Sequence, residues 1–311
     1  MTRIHLDTDL GSDTDDLCAL AMLLGWPDAE LMGVTTSTDV EGIRNGFVRY
    51  ALELAGRTDV RSEAGADGSI GGLFSPLLFP EYWPEPIPPR RSSPGAALDL
   101  LLENAEAGAA IVAVGPYTNL AMLEAARPGV LASVPVVVMG GHHVTAREGL
   151  PMWGMRDDFN VQQDAVAARI VFERCDPVVV PLAVSIEVAL RSSHLERLRA
   201  SGPLGRLIAD QGERHADDNG RRALPPAYPA LPADLLNFQY DPLACAVALG
   251  WDGAGVEDVA CALEPEPDGL LGMTPREDGR PLRTVTSVDA ERFERDWLNA
   301  VVRASERTRS R

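Results

Sequence analysis

The pattern that most limits how this 311-residue chain can fold is an alternation of short β-rich runs with helical stretches. "RIHLDTD" is followed by "DDLCALAMLLGW", "AELMGVTTS" by "EGIRNGFVRYALELAG" and "AAIVAVG" by "TNLAMLEAA", and "VPVVVMGG" closes the series. Strands spaced this way are joined by crossover helices, so the rhythm predicts an α/β fold built on a parallel sheet. With 45% hydrophobic residues the chain can bury a large core, and no internal repeat divides it, which predicts a single domain over residues 1–311. Two segments break the rhythm. Residues 66–96, with "SPLLFPEYWPEPIPPRRSSPG", read as a long Pro-rich loop, and residues 200–235, with "ADDNGRRALPPAYPALPAD", as a second irregular insertion. The stretch "VDAERFERDWLNAVVRASERTRSR" reads as a last helix fraying into a basic tail.

Charge and composition exclude several function classes. A net charge of -18 argues against a nucleic-acid partner, which is held through Lys and Arg clusters on phosphates. All 28 basic residues are Arg, so a Walker-type phosphate lysine, a Schiff-base lysine and a Ser-Lys pair are excluded. Cys18, Cys175, Cys245 and Cys261 are far apart and form no C-x-x-C, which predicts buried free thiols in a reducing compartment. The first residues carry no charged-then-apolar leader pattern, and the apolar runs are far shorter than a membrane span. The expectation is a cytoplasmic protein with no membrane partner.

Within "LDTDLGSDTDDL", Asp7, Asp9, Asp13, Asp15 and Asp16 fall within ten residues, where the first strand gives way to the first helix. In an open α/β sheet that edge is where ligands bind. Asp15 and Asp16 could serve only as first-turn acids favoured by the helix dipole. The others repel one another unless a cation is present, and an all-oxygen, sulfur-free cluster suits a hard ion such as Ca²⁺ or Mg²⁺. An EF-hand frame fails: starting at Asp7 or Asp9 puts Ser12 or Thr14 at the required glycine and Cys18 or Leu20 at the closing glutamate. A phosphatase of the aspartyl-phosphate type would need the lysine this chain lacks.

These residues resemble the nucleoside hydrolases of the inosine-uridine-preferring type, whose signature is D-x-D-x-G-x-D-D at this strand end. The resemblance continues in family order through "GVTTSTDV", "VAVGPYTNLAML", "VVVMGG", "RDDFNVQQDAVAARIVFE", "VVVPLAVS" and "YDPLACAVAL", from Met1 to about Gly250. It implies an open, mainly parallel sheet flanked by helices, hydrolysis of the N-glycosidic bond of a small-molecule ribonucleoside, and a homodimer or homotetramer. It also implies a Ca²⁺ held by Asp9, Asp16, the carbonyl of Val114 and Asp241, with Asp15 as general base. Asp158, Phe159 and Asn160 are expected to contact the sugar hydroxyls, although Asn160 could cap the following helix and Phe159 could be core.

The chain departs from the family pattern in four places. Its first loop is two residues longer, so Asp13 is an extra carboxylate and the base is Asp13 or Asp15. Asp39 stands where the family has a sugar-contacting Asn, with capping of the helix "EGIRNGFV" as the bland alternative. Met152 falls where relatives often carry another Asn. Tyr240 takes the place of a histidine that in some members protonates the leaving base. His142 and His143 are other candidate donors, and Tyr82, Trp83 and Trp153 are candidates to stack on a base. Asp39, Met152 and Tyr240 leave a second reading open: a metal-binding relative acting on an unusual riboside, or one with a non-catalytic ligand-binding role.

Overall fold

β1 (Thr2–Thr8) is an interior strand of the main sheet in a computed structural model that describes residues 1–71, 82–84 and 86–306. After it come α1 (Asp15–Gly25), β2 (Ala29–Thr36), α2 (Ile43–Leu54), β3 (Arg61–Ala64), α3 (Ala96–Glu106), β4 (Ala110–Ala113), α4 (Thr118–Ala126) and β5 (Val136–Met139). The chain continues through α5 (Phe159–Gln163), α6 (Ala165–Arg174), β6 (Val178–Val180), α7 (Leu182–Ser185), β7 (Ala189–Arg191), α8 (Leu195–Ser201) and α9 (Pro203–Asp218). It ends with β8 (Leu235–Phe238), α10 (Tyr240–Ala248), β9 (Ala254–Pro265), β10 (Leu271–Pro275), β11 (Arg280–Val288) and α11 (Ala290–Glu306).

The main sheet has the order β10-β9-β11-β6-β5-β4-β1-β2-β3. Its stretch from β3 to β11 is parallel, as the sequence rhythm predicts, while β9 runs antiparallel to both of its neighbours. From β1 the order steps to β2 and β3 on one side and to β4, β5 and β6 on the other. The boundary between β1 and β4 is therefore a topological switch point, where the flanking loops part and leave a crevice. β7 and β8 form a separate antiparallel pair.

Helices cover both faces. On one, α1 packs against the sheet at β2 and against helices α10 and α11, and all eleven of its residues are buried, which explains a sequence apolar on every side. On the other, α3, α4 and α6 cover Ile111, Val138 and Val179. Trp297 of α11 is fully buried and its indole N–H donates to the carbonyl of Cys18. A smaller apolar cluster of Leu150, Ile186, Leu231, Leu235 and Phe238 supports the β7–β8 pair. The four cysteines are buried and unpaired. Among the described residues, no helix is long and apolar enough to cross a membrane.

The segment expected to be irregular over 200–235 is a correction. Its first half is the sixteen-residue helix α9, started by Pro203 at its first turn, and only the stretch after Asn219 is irregular. Leu204, Leu207, Ile208, Gln211 and His215 recur at helical spacing and are all buried, but the surrounding Gly, Asp and Pro residues masked that period. The Pro-rich segment 66–96 carries no helix or strand until Ala96 in its described part; 72–81, 85 and the basic tail 307–311 lie outside the described residues.

Candidate functional site

Three parallel strands end at one cavity of about 530 Å³. Asp9 follows β1, Val114 follows β4, Met139 closes β5, and the first turn of α10 brings Tyr240 and Asp241 to the same wall. Gly115 lets two of these ends approach: a Cβ there would fall 2.7 Å from Ser37 Oγ and 2.8 Å from the backbone N of Asp9. Gly140, at φ +140°, leaves room for the Tyr117 hydroxyl, which would be 2.5 Å from its Cβ and which donates to the Met139 carbonyl at 2.7 Å.

Asp9, Asp13, Asp15, Asp16 and Asp241 all line the cavity. Carboxylate oxygens of Asp15, Asp16 and Asp241 lie within 4.8 Å of one another, and all three residues are buried. Burial, followed by repulsion from Asp13 and Asp16, pushes the Asp15 carboxyl well above its usual range. Burial and then Asp9 do the same to Asp16, and burial with Asp15 and Asp16 to Asp241. Thr8 donates its hydroxyl proton to Asp16. A buried group of this kind, with oxygen donors only and no basic partner inside it, is matched by a hard divalent cation.

The other two loop aspartates that line the cavity part company. Asp9 lies outside that group of three and is 3.6 Å from the guanidinium of the fully buried Arg44; burial raises its carboxyl and Arg44 opposes the rise. Asp13 turns toward α9 and β8, where it accepts from Asn237 Nδ2 at 2.6 Å and stands 3.4 Å from His215 Nε2. Burial works against its ionisation, but His215 and Arg221 together hold it below the usual carboxylate range. Of the two residues expected as the base, Asp15 thus sits among the grouped carboxylates and Asp13 turns to Asn237 and His215, while Asp9, expected among the ligands, sits beside the group.

Asp158, Phe159 and Asn160 line the cavity as expected. The Asn160 amide N–H₂ donates to the Val114 carbonyl at 2.7 Å and to the Met139 carbonyl at 3.1 Å, which fixes the carbonyl expected to face a metal and leaves Oδ1 as the acceptor. One oxygen of Asp158 accepts from the Gly141 N–H at 2.8 Å and from His142 Nδ1 at 3.1 Å. Tyr240 lines the cavity, with Phe238 and Trp153 packed against its ring. Burial pushes its phenol well above the usual tyrosine value, which makes its proton harder to give.

Three expected contacts are not in the cavity wall. Asp39 is a helix cap. It accepts from the backbone N–H groups of Arg44 and Asn45 at 2.7 and 2.9 Å and from the Thr36 hydroxyl at 2.6 Å, because the left-handed Thr38 (φ 49°) and Glu41 (φ 63°) drop the chain straight into α2. His142 supports Asp158 and accepts with Nε2 from the Met273 N–H at 3.1 Å, so both ring nitrogens are committed behind the wall. Trp153 packs edge-on against Phe238 and under the Arg221 guanidinium, backing Tyr240. His143 is likewise buried against Thr284. Of the other aromatic candidates, Tyr82 reaches the cavity, whereas Trp83 stacks on Phe47 at 4.3 Å and donates to the Gly11 carbonyl, anchoring the first loop.

His215, Asp218, Asn219 and Arg221 also line the cavity, and none of them was singled out from the sequence. The signal existed. His215 shares the buried stripe of α9 with Leu204, Leu207, Ile208 and Gln211.

A profile of the family described as "Inosine-uridine preferring nucleoside hydrolase" matches residues 4–295. The pyrimidine-specific ribonucleoside hydrolase RihA of Salmonella paratyphi A is 32% identical over 230 residues, 67% of this chain and 69% of that protein. Two solved structures share the fold: a purine-preferring ribonucleoside hydrolase from Gardnerella vaginalis and a plant nucleoside hydrolase, PpNRh1. The first has a TM-score of 0.78 at 20% identity, over 98% of this chain and 99% of that one. The second has a TM-score of 0.76 at 20% identity, over 97% and 99%.

Proposed function

The chain belongs to the inosine-uridine preferring nucleoside hydrolase family and is an enzyme of N-glycosidic bond hydrolysis, and from that premise we propose a calcium-dependent ribonucleoside hydrolase working as one domain. The observation that carries the reading is the buried group of Asp15, Asp16 and Asp241 in the cavity wall. These three carboxylates, with the remaining lone pair of the Val114 carbonyl, would hold the ion. Ca²⁺ bound there would supply a chelator for the two ribose hydroxyls and a Lewis acid for water.

The chain's own groups do the rest. Asp9 lines the cavity beside the ion-holding group, so its carboxylate takes the proton of the attacking water; burial raises its proton affinity above the usual carboxylate range, and Arg44 opposes the rise. This exchanges the parts that family resemblance gives to Asp9 and Asp15. Asn160 Oδ1 and the free oxygen of Asp158 accept from sugar hydroxyls, and Phe159 keeps an apolar wall against bulk water. As the C1′–N bond lengthens, positive charge grows on the sugar, and a cavity lined by aspartates stabilises it.

The test is release of reducing sugar from a panel of ribonucleosides and their 2′-deoxy counterparts, before and after chelation and calcium return. The panel covers both base classes, because the names of similar proteins divide between pyrimidine and purine. Ribosides are expected to be cleaved about 10⁴-fold faster than deoxyribosides, since a site built around a hydroxyl rejects the analogue lacking it. Activity should vanish on chelation and return with Ca²⁺. No sugar release from any riboside with calcium present overturns the reading, and equal riboside and deoxyriboside rates overturn its chelation part. Self-association into a dimer or tetramer belongs to the same reading and is read by light scattering.

A further inference from the structure

We propose that His215 of α9 gives the proton to the departing base; the proposal rests on the hydrolytic reading above. His215 is the one histidine in the cavity wall among the described residues. Its side chain is 6% exposed, and Nε2 makes no hydrogen bond. Nδ1 accepts from Asn219 Nδ2 at 3.3 Å, which keeps the proton of the neutral ring on Nε2. The Asp13 carboxylate lies 3.4 Å from that atom and is itself held by Asn237. Burial, reinforced by Arg221, holds the ring below the usual histidine value and so makes its extra proton easy to give, while the Asp13 carboxylate opposes that lowering and lets the ring take the proton up. Asp13 is the residue that lengthens the first loop, so the additional carboxylate and the histidine from α9 form one unit.

The other wall groups fit the task less well. A phenol, with an ordinary pKa near 10, is poorly matched to proton transfer at neutral pH, which counts against Tyr240 and Tyr82. A guanidinium does not release its proton, which removes Arg221. His142 and His143 are committed behind the wall.

In the step, the C1′–N bond breaks and its electron pair leaves with the base. The His215 imidazolium transfers its Nε2 proton to the base nitrogen and becomes neutral imidazole. Water adds hydroxide to C1′ and gives its second proton to Asp9. That proton returns through solvent to His215, so the sum is nucleoside plus water giving base plus ribose.

The experiment compares wild type with His215→Gln and His215→Ala on a ribonucleoside and on p-nitrophenyl riboside, whose leaving group departs without protonation. The expected result is a 10²- to 10⁴-fold fall in kcat on the ribonucleoside, a change within about threefold on p-nitrophenyl riboside, and partial rescue of His215→Ala by added imidazole. Equal losses on both substrates would make His215 a structural or binding residue and overturn the proposal, as would no loss on either. A wild type that cleaves neither substrate overturns the hydrolytic reading itself, a different signature from either result. If one variant fails to fold, the same substrate comparison is made with the other.

Discussion

Replacing Asp241 by Asn should stabilise the metal-stripped protein and abolish its response to calcium. Three carboxylates whose oxygens lie within 4.8 Å repel by about 3.5 kcal/mol per ionised pair at an effective dielectric of 20, and Asp241 takes part in two of the three pairs. The ceiling on relief is therefore about 7 kcal/mol. Partial protonation of the stripped group lowers this, as do the lost attraction of an anion to the α10 N-terminus, about 0.3–1 kcal/mol, and the cost of burying an amide at a site 3% exposed. A net gain of about 1–2 kcal/mol remains, or a Tm higher by roughly 1.5–3 °C for a chain of 311 residues. Wild type, in contrast, should gain about 2.7 kcal/mol at calcium a hundredfold over its Kd, roughly 4 °C, and the variant nothing. Calorimetric melts of both proteins in EGTA and in calcium read all four values. A stripped variant that melts below stripped wild type, together with an undiminished calcium shift, would refute the claim that these carboxylates form an ion site.

Three further outcomes follow from named contacts. Asp9→Asn should keep calcium binding in titration calorimetry and lose about 10²- to 10⁴-fold in turnover, whereas Asp15→Asn should lose the ion; the reverse pattern would restore the parts expected from family resemblance. Asp39→Ala should cost about 1–2 kcal/mol in denaturant unfolding through its lost cap, yet leave the riboside-to-deoxyriboside ratio unchanged, since Asp39 does not line the cavity. His5 is buried between Asn104 and Thr35, and burial lowers its pKa to about 3. Because the unfolded ring takes a proton near pH 6.5 and the folded ring does not until about pH 3, this contribution is whole above 6.5 and is lost as pH falls. By pH 4 the loss is about 3 kcal/mol, and His5→Gln should flatten that part of the stability profile relative to wild type.

Much of this site can be read along the chain because its parts are local. A strand-to-helix junction crowded with aspartates, "DDFN" at a helix start and Asp241 at the start of another are each a few residues long, and parallel-sheet topology carries such junctions to one edge. What is not local is which way each side chain turns. Asp39 and Asn160 both precede or begin helices, yet one is spent on a cap and the other fixes the Val114 carbonyl in the cavity wall. His142 reads as a pocket residue until β10 is seen to satisfy its second nitrogen from 131 residues away.

The sequence by itself determined the alternating architecture, the oxygen-only acidic cluster and the family, because hydrophobic period and short motifs are written in neighbouring residues. Only the tertiary structure decided which three carboxylates meet, that α9 is a helix rather than an irregular insertion, and that its His215 faces the extra Asp13 from about two hundred residues away. Those facts depend on how α9 packs against α1, α11 and β8, and distances between elements far apart in sequence are set by packing of the whole core, not by any local pattern.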